Sequence, residues 1–146
     1  MGMPYHPMSD DEVWAFLAST PPHTGKLATT RKDGSAHVAP IWYVVDDRSL
    51  VFNTNAESLK GRNLRRDPRA ALCVDDERPP FAFAIVEGTV EITDDVDDLH
   101  HWAAVIGGRY MGDDQADAYG ARNGVPGELL IRLRPSRITS AADVAL

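Results

Sequence analysis

At 146 residues the chain has the length of one domain with a real core, though small enough that partner subunits often complete the binding sites of such proteins. Its net charge of −7, with acidic residues spread through turns such as Asp46-Asp47, Asp75-Asp76-Glu77 and Asp113-Asp114, argues against nucleic acid as a partner, because a phosphate backbone calls for a broad basic surface. One cysteine, Cys73, excludes an internal disulfide, and the lack of a signal-peptide layout or of an apolar run near the roughly 20 residues of a membrane span leads us to expect a cytoplasmic protein with no membrane partner.

Ser9-Asp10-Asp11-Glu12 has the Ser-x-x-Glu form of a capping box, and Val13, Trp14, Phe16 and Leu17 supply an apolar face, so a short helix is expected before Pro21-Pro22. Gly25 to Arg31 and Ala36 to Val45 read as strands one and two, joined through Lys32-Asp33-Gly34-Ser35, where Asp-Gly signals a hairpin. After Asp46-Asp47-Arg48 comes a third strand, Ser49 to Thr54, leading through Asn55-Ala56-Glu57 into Ser58-Leu59-Lys60-Gly61-Arg62-Asn63-Leu64-Arg65-Arg66. This basic segment predicts a helix closed at Asp67-Pro68, since a residue before proline is pushed out of the α region.

Strands four and five are expected at Ala70 to Val74, where Cys73 reads as a buried strand residue with a reactive thiol as the alternative, and at Phe81 to Thr93, across the turn Glu77-Arg78-Pro79-Pro80. Gly88 inside the long fifth strand suggests a bulge that lets a sheet curl. Asp94 to Asp98 opens a helix carrying Leu99, Trp102, Ala103 and Ile106 and reaching Gly107-Gly108, and Asp114 to Arg122 predicts another. The alternating Glu128 to Arg134 forms a sixth strand terminated by Pro135. The whole predicts a mostly β single domain over residues 1–146, a six-stranded antiparallel barrel with peripheral helices.

At about 100° per residue, Leu59, Lys60, Asn63 and Leu64 share one arc of the basic helix, while Arg62, Arg65 and Arg66 share the opposite one with Arg69. An apolar arc that carries one Lys and one Asn suits a helix docked on a core, whose first turn presents a cation and an amide to a phosphate. The alternative is a surface helix with ordinary Arg decoration. Metal binding is not expected, because His100-His101 point apart on a helix and no Cys or His spacing follows a zinc pattern. No Gly-x-Ser-x-Gly elbow, P-loop or Gly-x-Gly-x-x-Gly is present, which removes hydrolases of that type and the familiar αβ nucleotide sites. An anion site beside Pro40-Ile41-Trp42-Tyr43 and Phe81-Ala82-Phe83 fits a flat, phosphorylated cofactor; aromatics in such positions also serve simply as core.

The succession Leu27-Ala28-Thr29-Thr30, Asp33-Gly34, His37-Val38-Ala39-Pro40-Ile41-Trp42-Tyr43 and Lys60-Gly61-Arg62-Asn63-Leu64-Arg65-Arg66-Asp67-Pro68-Arg69 resembles the pyridoxamine-phosphate-oxidase-like split β-barrels. Within them it is similar to the actinobacterial flavin/deazaflavin oxidoreductases of the B type, which use coenzyme F420. The resemblance covers nearly the whole chain, and Lys-x-x-Asn-Leu-Arg-Arg-x-Pro is its more specific motif. It implies a homodimer whose cofactor sites are built from both chains. It also implies that Lys60 and Asn63, with Ser58 nearby, hold the cofactor phosphate, with Thr54 and Asn55 at the mouth of that helix. Pro40, Ile41 and Trp42 would lie against the ring, Phe81, Ala82 and Phe83 would wall the pocket, and Arg31 and Lys32 would meet a longer deazaflavin tail.

The position two before the lysine, basic in many members of the family, is Ser58 here, and the run Arg134-Pro135-Ser136-Arg137-Ile138 lacks the tryptophan of the vitamin B6 oxidases, which disfavours that reaction. The function expected is a coenzyme F420-dependent reductase that passes a hydride to an electron-poor acceptor such as an enone, quinone or conjugated tetrapyrrole. The alternatives are an FMN-dependent enzyme on the same fold and a noncatalytic cofactor binder. No catalytic side chain is singled out; Trp102, Arg109 and Tyr110 are candidates for the acceptor pocket.

Overall fold

The computed structural model describes residues 6–146. The capping box is realised at its N-terminal end: Ser9 Oγ accepts from Glu12 N at 3.2 Å and Glu12 Oε1 accepts from Ser9 N at 3.0 Å, starting helix α1, Asp10–Leu17, which buries Val13 and Leu17. Strands β1, Gly25–Thr30, and β2, Ala36–Ile41, form the expected hairpin, with Gly34 at φ +89° in its turn.

The second predicted strand is in fact two, because the chain bends at Trp42-Tyr43 and changes partner. β2 pairs with β1, whereas β3, Val44–Asp46, pairs with β4, Ser49–Asn55. Tyr43 explains the break: its N–H donates to the Tyr110 hydroxyl at 3.3 Å, and its buried hydroxyl donates to the Leu17 carbonyl at 2.7 Å. Among the described residues the sheet therefore has seven strands rather than six. Their order is β2-β1-β5-β6-β7-β4-β3, with β5 at Arg69–Asp76, β6 at Ala82–Thr93 and β7 at Glu128–Ala141, all neighbours antiparallel. Since β2 and β3 stand at opposite ends of that order yet are joined by two residues, the sheet curls back on itself around Leu27, Phe52, Leu72, Val86 and Ile131.

The expected irregularity is present at Gly88. The β6–β7 register shifts between Glu87 and Gly88, and a Cβ on Gly88 would lie 1.9 Å from the Arg134 carbonyl oxygen. Pro135 does not end the last strand, which continues to Ala141; it pairs opposite Gly88 at this irregularity, where a missing N–H costs no ladder bond.

Helix α2, Leu59–Arg66, packs between β1 and β4, while α3, Val96–Met111, a short 3-10 turn and α4, Ala116–Asn123, are inserted between β6 and β7. α3 covers the outer face of the barrel through a second cluster of Val44, Val51, Leu99, Ile106 and Leu130, joined by Trp42, Trp102 and Tyr110. No helix among the described residues is long and apolar enough to cross a membrane.

Candidate functional site

The end of β4 and the start of α2 meet in a tight corner. The Asn55 carbonyl accepts from Ser58 N at 3.1 Å and from Ser58 Oγ at 2.7 Å, and its side chain accepts from Glu57 N at 2.9 Å. Ser58 then caps α2 by accepting from Gly61 N at 3.1 Å, and its hydroxyl lies 2.9 Å from Thr54 Oγ1. A Cβ on Gly61 would lie 2.4 Å from the Asn55 carbonyl oxygen, so only glycine lets the helix start this close to the strand. The Leu59 and Lys60 N–H groups, in the first turn, have no helical acceptor, and the Lys60 side chain faces a cleft of about 300 Å³.

One wall of the cleft is Pro40, Ile41 and Trp42 at the β2 bend. Asn53, Thr54 and Asn55 of β4 form its base beside Lys60. Ala103, Ile106 and Gly107 of α3, Tyr119 and Asn123 of α4, and Glu128 at the start of β7 complete it. Trp42 is held from behind by Tyr110, whose ring stacks on it at 5.1 Å and 3°, and is flanked by Tyr119 at 5.7 Å. Tyr119 packs directly on the backbone at Gly107, where a Cβ would come within 2.3 Å of its own.

The charges in this cleft are incompletely paired. Among the described residues Lys60 has no hydrogen-bond or ion-pair partner, whereas neighbouring Arg65 donates to the Ala56 carbonyl at 2.7 Å and Arg66 to the Thr30 carbonyl and to Asn63 Oδ1. Glu128 Oε1 accepts from Asn53 Nδ2 at 3.3 Å, while Oε2 is buried without a partner. Behind the aromatic wall, burial pushes the Tyr43 and Tyr110 phenols above their ordinary range. An uncompensated cation at a helix N-terminus, beside a fixed aromatic wall, suits an elongated ligand with an anionic end and a flat end.

Residues 9–141 match the sequence pattern of the family described as pyridoxamine 5'-phosphate oxidase. The chain belongs to the pyridoxamine 5'-phosphate oxidase family. This is a family of flavin-binding oxidoreductases with the mostly β fold seen here. A curated relative, the pyridoxine/pyridoxamine 5'-phosphate oxidase of Cupriavidus taiwanensis, is 39% identical over 113 residues, 70% of this chain and 51% of that protein. The chain thus spans about half the length of the curated relatives it matches. Among solved structures, the conserved hypothetical protein Rv2991 from Mycobacterium tuberculosis superposes with a TM-score of 0.81 at 30% identity, over 93% of this chain and 86% of that one. A structure described as an F420 reductase superposes with a TM-score of 0.64 at 29% identity, over 80% of this chain and 89% of that one.

The oxidase-family barrel gathers Pro40, Ile41, Trp42, Thr54, Asn55 and Lys60 at one cleft, with Ser58 beneath as the cap. It does not bring the other expected residues there. Asn63 is 1% exposed and faces the barrel, its Nδ2 donating to Thr29 Oγ1 at 3.1 Å and its Oδ1 accepting from Arg66, so its amide anchors α2 to β1 instead of lining the cleft. Phe81, at φ +69°, and Ala82 line a different hollow with Pro79, Pro80 and Asp143, and Phe83 lies in β6 opposite Ala141. Arg31 and Lys32 sit at the β1–β2 turn, the opposite end of β2 from Ile41; Arg31 donates to the Ala36 carbonyl at 2.6 Å. Arg109 and Tyr110 act from behind the wall: Arg109 donates to the carbonyls of Leu17, Ala18 and Ser19, and the Tyr110 hydroxyl donates to the His23 carbonyl at 2.7 Å. Trp102 packs under α3, with the Arg132 guanidinium 5.6 Å over its ring.

Asn53, Tyr119, Asn123 and Glu128 were not anticipated. The signal available for Glu128 was its place at the start of a strand that, once paired with β4, sets it opposite Asn55. Tyr119 carried no local signal, since its neighbour in the cleft is a glycine twelve residues earlier.

Proposed function

We propose that this chain is a deazaflavin-dependent reductase that uses coenzyme F420. The observation that carries the reading is the unpartnered Lys60 in the first turn of α2, lining the same cleft as the Trp42 wall. Support for the deazaflavin in particular comes from the likeness to the F420 reductase structure. When bound, such a cofactor supplies a hydride for an electron-poor acceptor such as an enone, quinone or conjugated tetrapyrrole. The chain's own part is to bind and orient. Lys60 and the free amides of α2 hold the phosphate, Pro40, Ile41 and Trp42 seat the ring, and α3 and α4 keep water from one side of it.

A second reading, FMN in the same cleft, is favoured by membership of a flavin-binding family, since both cofactors share a tricyclic ring and a polyol phosphate. A homodimer belongs to either reading: β2 carries Val38 with 63% of its surface exposed beside the cleft-lining Pro40, a position that a second copy would cover. Fluorescence titration of the purified protein with F420 and FMN in parallel tests the proposal, followed by turnover of reduced cofactor with quinone and enone acceptors. Saturable F420 binding with turnover supports it; preference for FMN promotes the second reading, binding without turnover leaves a cofactor carrier, and binding of neither removes both enzymes.

A further inference from the structure

We infer that Glu128 is a specificity-determining residue of this cleft, one that takes hydroxyl donors from a polyol placed next to the anion held by Lys60. The inference rests on the cofactor reading above, which accounts for a cation and an aromatic wall but not for a carboxylate in the same cleft. A carboxylate beside a phosphate is repulsive, so an acid at this position is explained only if a neutral, donor-bearing part of the ligand lies there. The register sets the place: Glu128 pairs with Asn55, at the corner from which Lys60 emerges.

The carboxylate is poorly served by the protein itself. An ionised carboxylate offers about four acceptor sites, yet Glu128 receives one hydrogen bond, from Asn53 at 3.3 Å, and its Oε2 has no partner although withdrawn from solvent. Leaving such an oxygen unsatisfied is costly, and a ligand hydroxyl relieves that cost. The terminal torsion of a glutamate is broad, so its carboxylate can turn to offer an oxygen to a ligand in the cleft that Glu128 lines. The Asn123 amide, on the facing helix, adds a group able to accept or donate across the same gap. The cleft is thereby set to prefer an anion linked to its ring through a polyhydroxyl chain over a ring or an anion alone.

The test compares three ligands in both the flavin and the deazaflavin series: the phosphate ester, the riboside without phosphate, and the ring bearing a methyl group in place of the polyol. Glu128→Ala is expected to weaken the phosphate ester and the riboside by about tenfold or more while leaving the methyl ring within about twofold. Lys60→Ala should weaken the phosphate ester alone. Glu128→Gln, which keeps an oxygen for Asn53, should fall between wild type and alanine on the two polyol ligands. Equal losses on all three ligands in Glu128→Ala, or no loss on any, overturn the role of Glu128 while leaving the cofactor reading standing. Failure of the wild-type protein to bind any of the six ligands overturns both.

Discussion

Two cations, Lys60 in the cleft that Trp42 lines and Arg109 against the Tyr110 ring behind Trp42, have opposite relations to the fold. Arg109 donates to three carbonyls at the C-terminal end of α1, at 3.1, 3.1 and 3.2 Å, and its guanidinium lies 5.6 Å from the Tyr43 and Tyr110 rings; only its Nε is left without a partner. Lys60 touches nothing polar among the described residues and projects into a cleft with a half-satisfied glutamate. A side chain that completes helix ends is bound up with stability, while one held at a helix start without a partner is available to a ligand. The contrast is why the proposed cofactor site is put at the α2 corner, while the Tyr43–Arg109–Tyr110 group holds the wall in place.

The largest effect is expected from Arg109→Ala. It strips charge-assisted donors from three helix-end carbonyls and should cost about 3 kcal/mol of stability in denaturant unfolding. A loss confined to ligand binding, with an unchanged unfolding midpoint, would reverse the assignment. Lys60→Ala should do the converse: stability within about 0.5 kcal/mol of wild type, and affinity for a phosphorylated cofactor lower by about 1.5–3 kcal/mol in titration. Gly61→Ala joins the two effects, since the added carbon meets the Asn55 carbonyl oxygen at 2.4 Å. It should destabilise by about 1–3 kcal/mol and also weaken anion binding, because relieving the clash moves the α2 corner. Arg62→Ala on the exposed face should leave both unchanged.

The smallest effect sharpens the stable end. Tyr43 and Tyr110 have their phenols raised by burial, so the folded state keeps protons that the unfolded chain releases above its ordinary tyrosine value of about 10. Their contribution is therefore complete below about pH 10 and is lost as the pH rises through and beyond that value. Tyr43→Phe should cost about 1 kcal/mol at neutral pH by removing one of the two donors to the Leu17 carbonyl, the other being Arg109, and should flatten the alkaline decline in thermal midpoint. An equally steep decline in the variant would place its origin elsewhere.

Features governed by neighbours in the chain were determined by the sequence itself. Ser9 and Glu12 cap each other across one turn, Asp33-Gly34 makes a hairpin and Asp67-Pro68 closes α2, because each depends on bonds or sterics within a few residues. Lys60, Pro40, Ile41, Trp42, Thr54 and Asn55 could be assembled from the resemblance of local motifs, and all six line one cleft.

Other features were decided by packing between distant segments. The strand break at Trp42-Tyr43 follows from hydrogen bonds to Leu17 and Tyr110, and β7 runs past Pro135 because Gly88 of another strand supplies the irregularity that accommodates it. The same amide that looks suited to a phosphate at Asn63 turns inward once Thr29 stands across from it, and Glu128 enters the cleft only through its pairing with Asn55, more than seventy residues earlier in the chain. Periodicity assigns a residue to an arc of a helix or a face of a strand, but what stands opposite that face depends on long-range strand register and on where inserted helices come to rest.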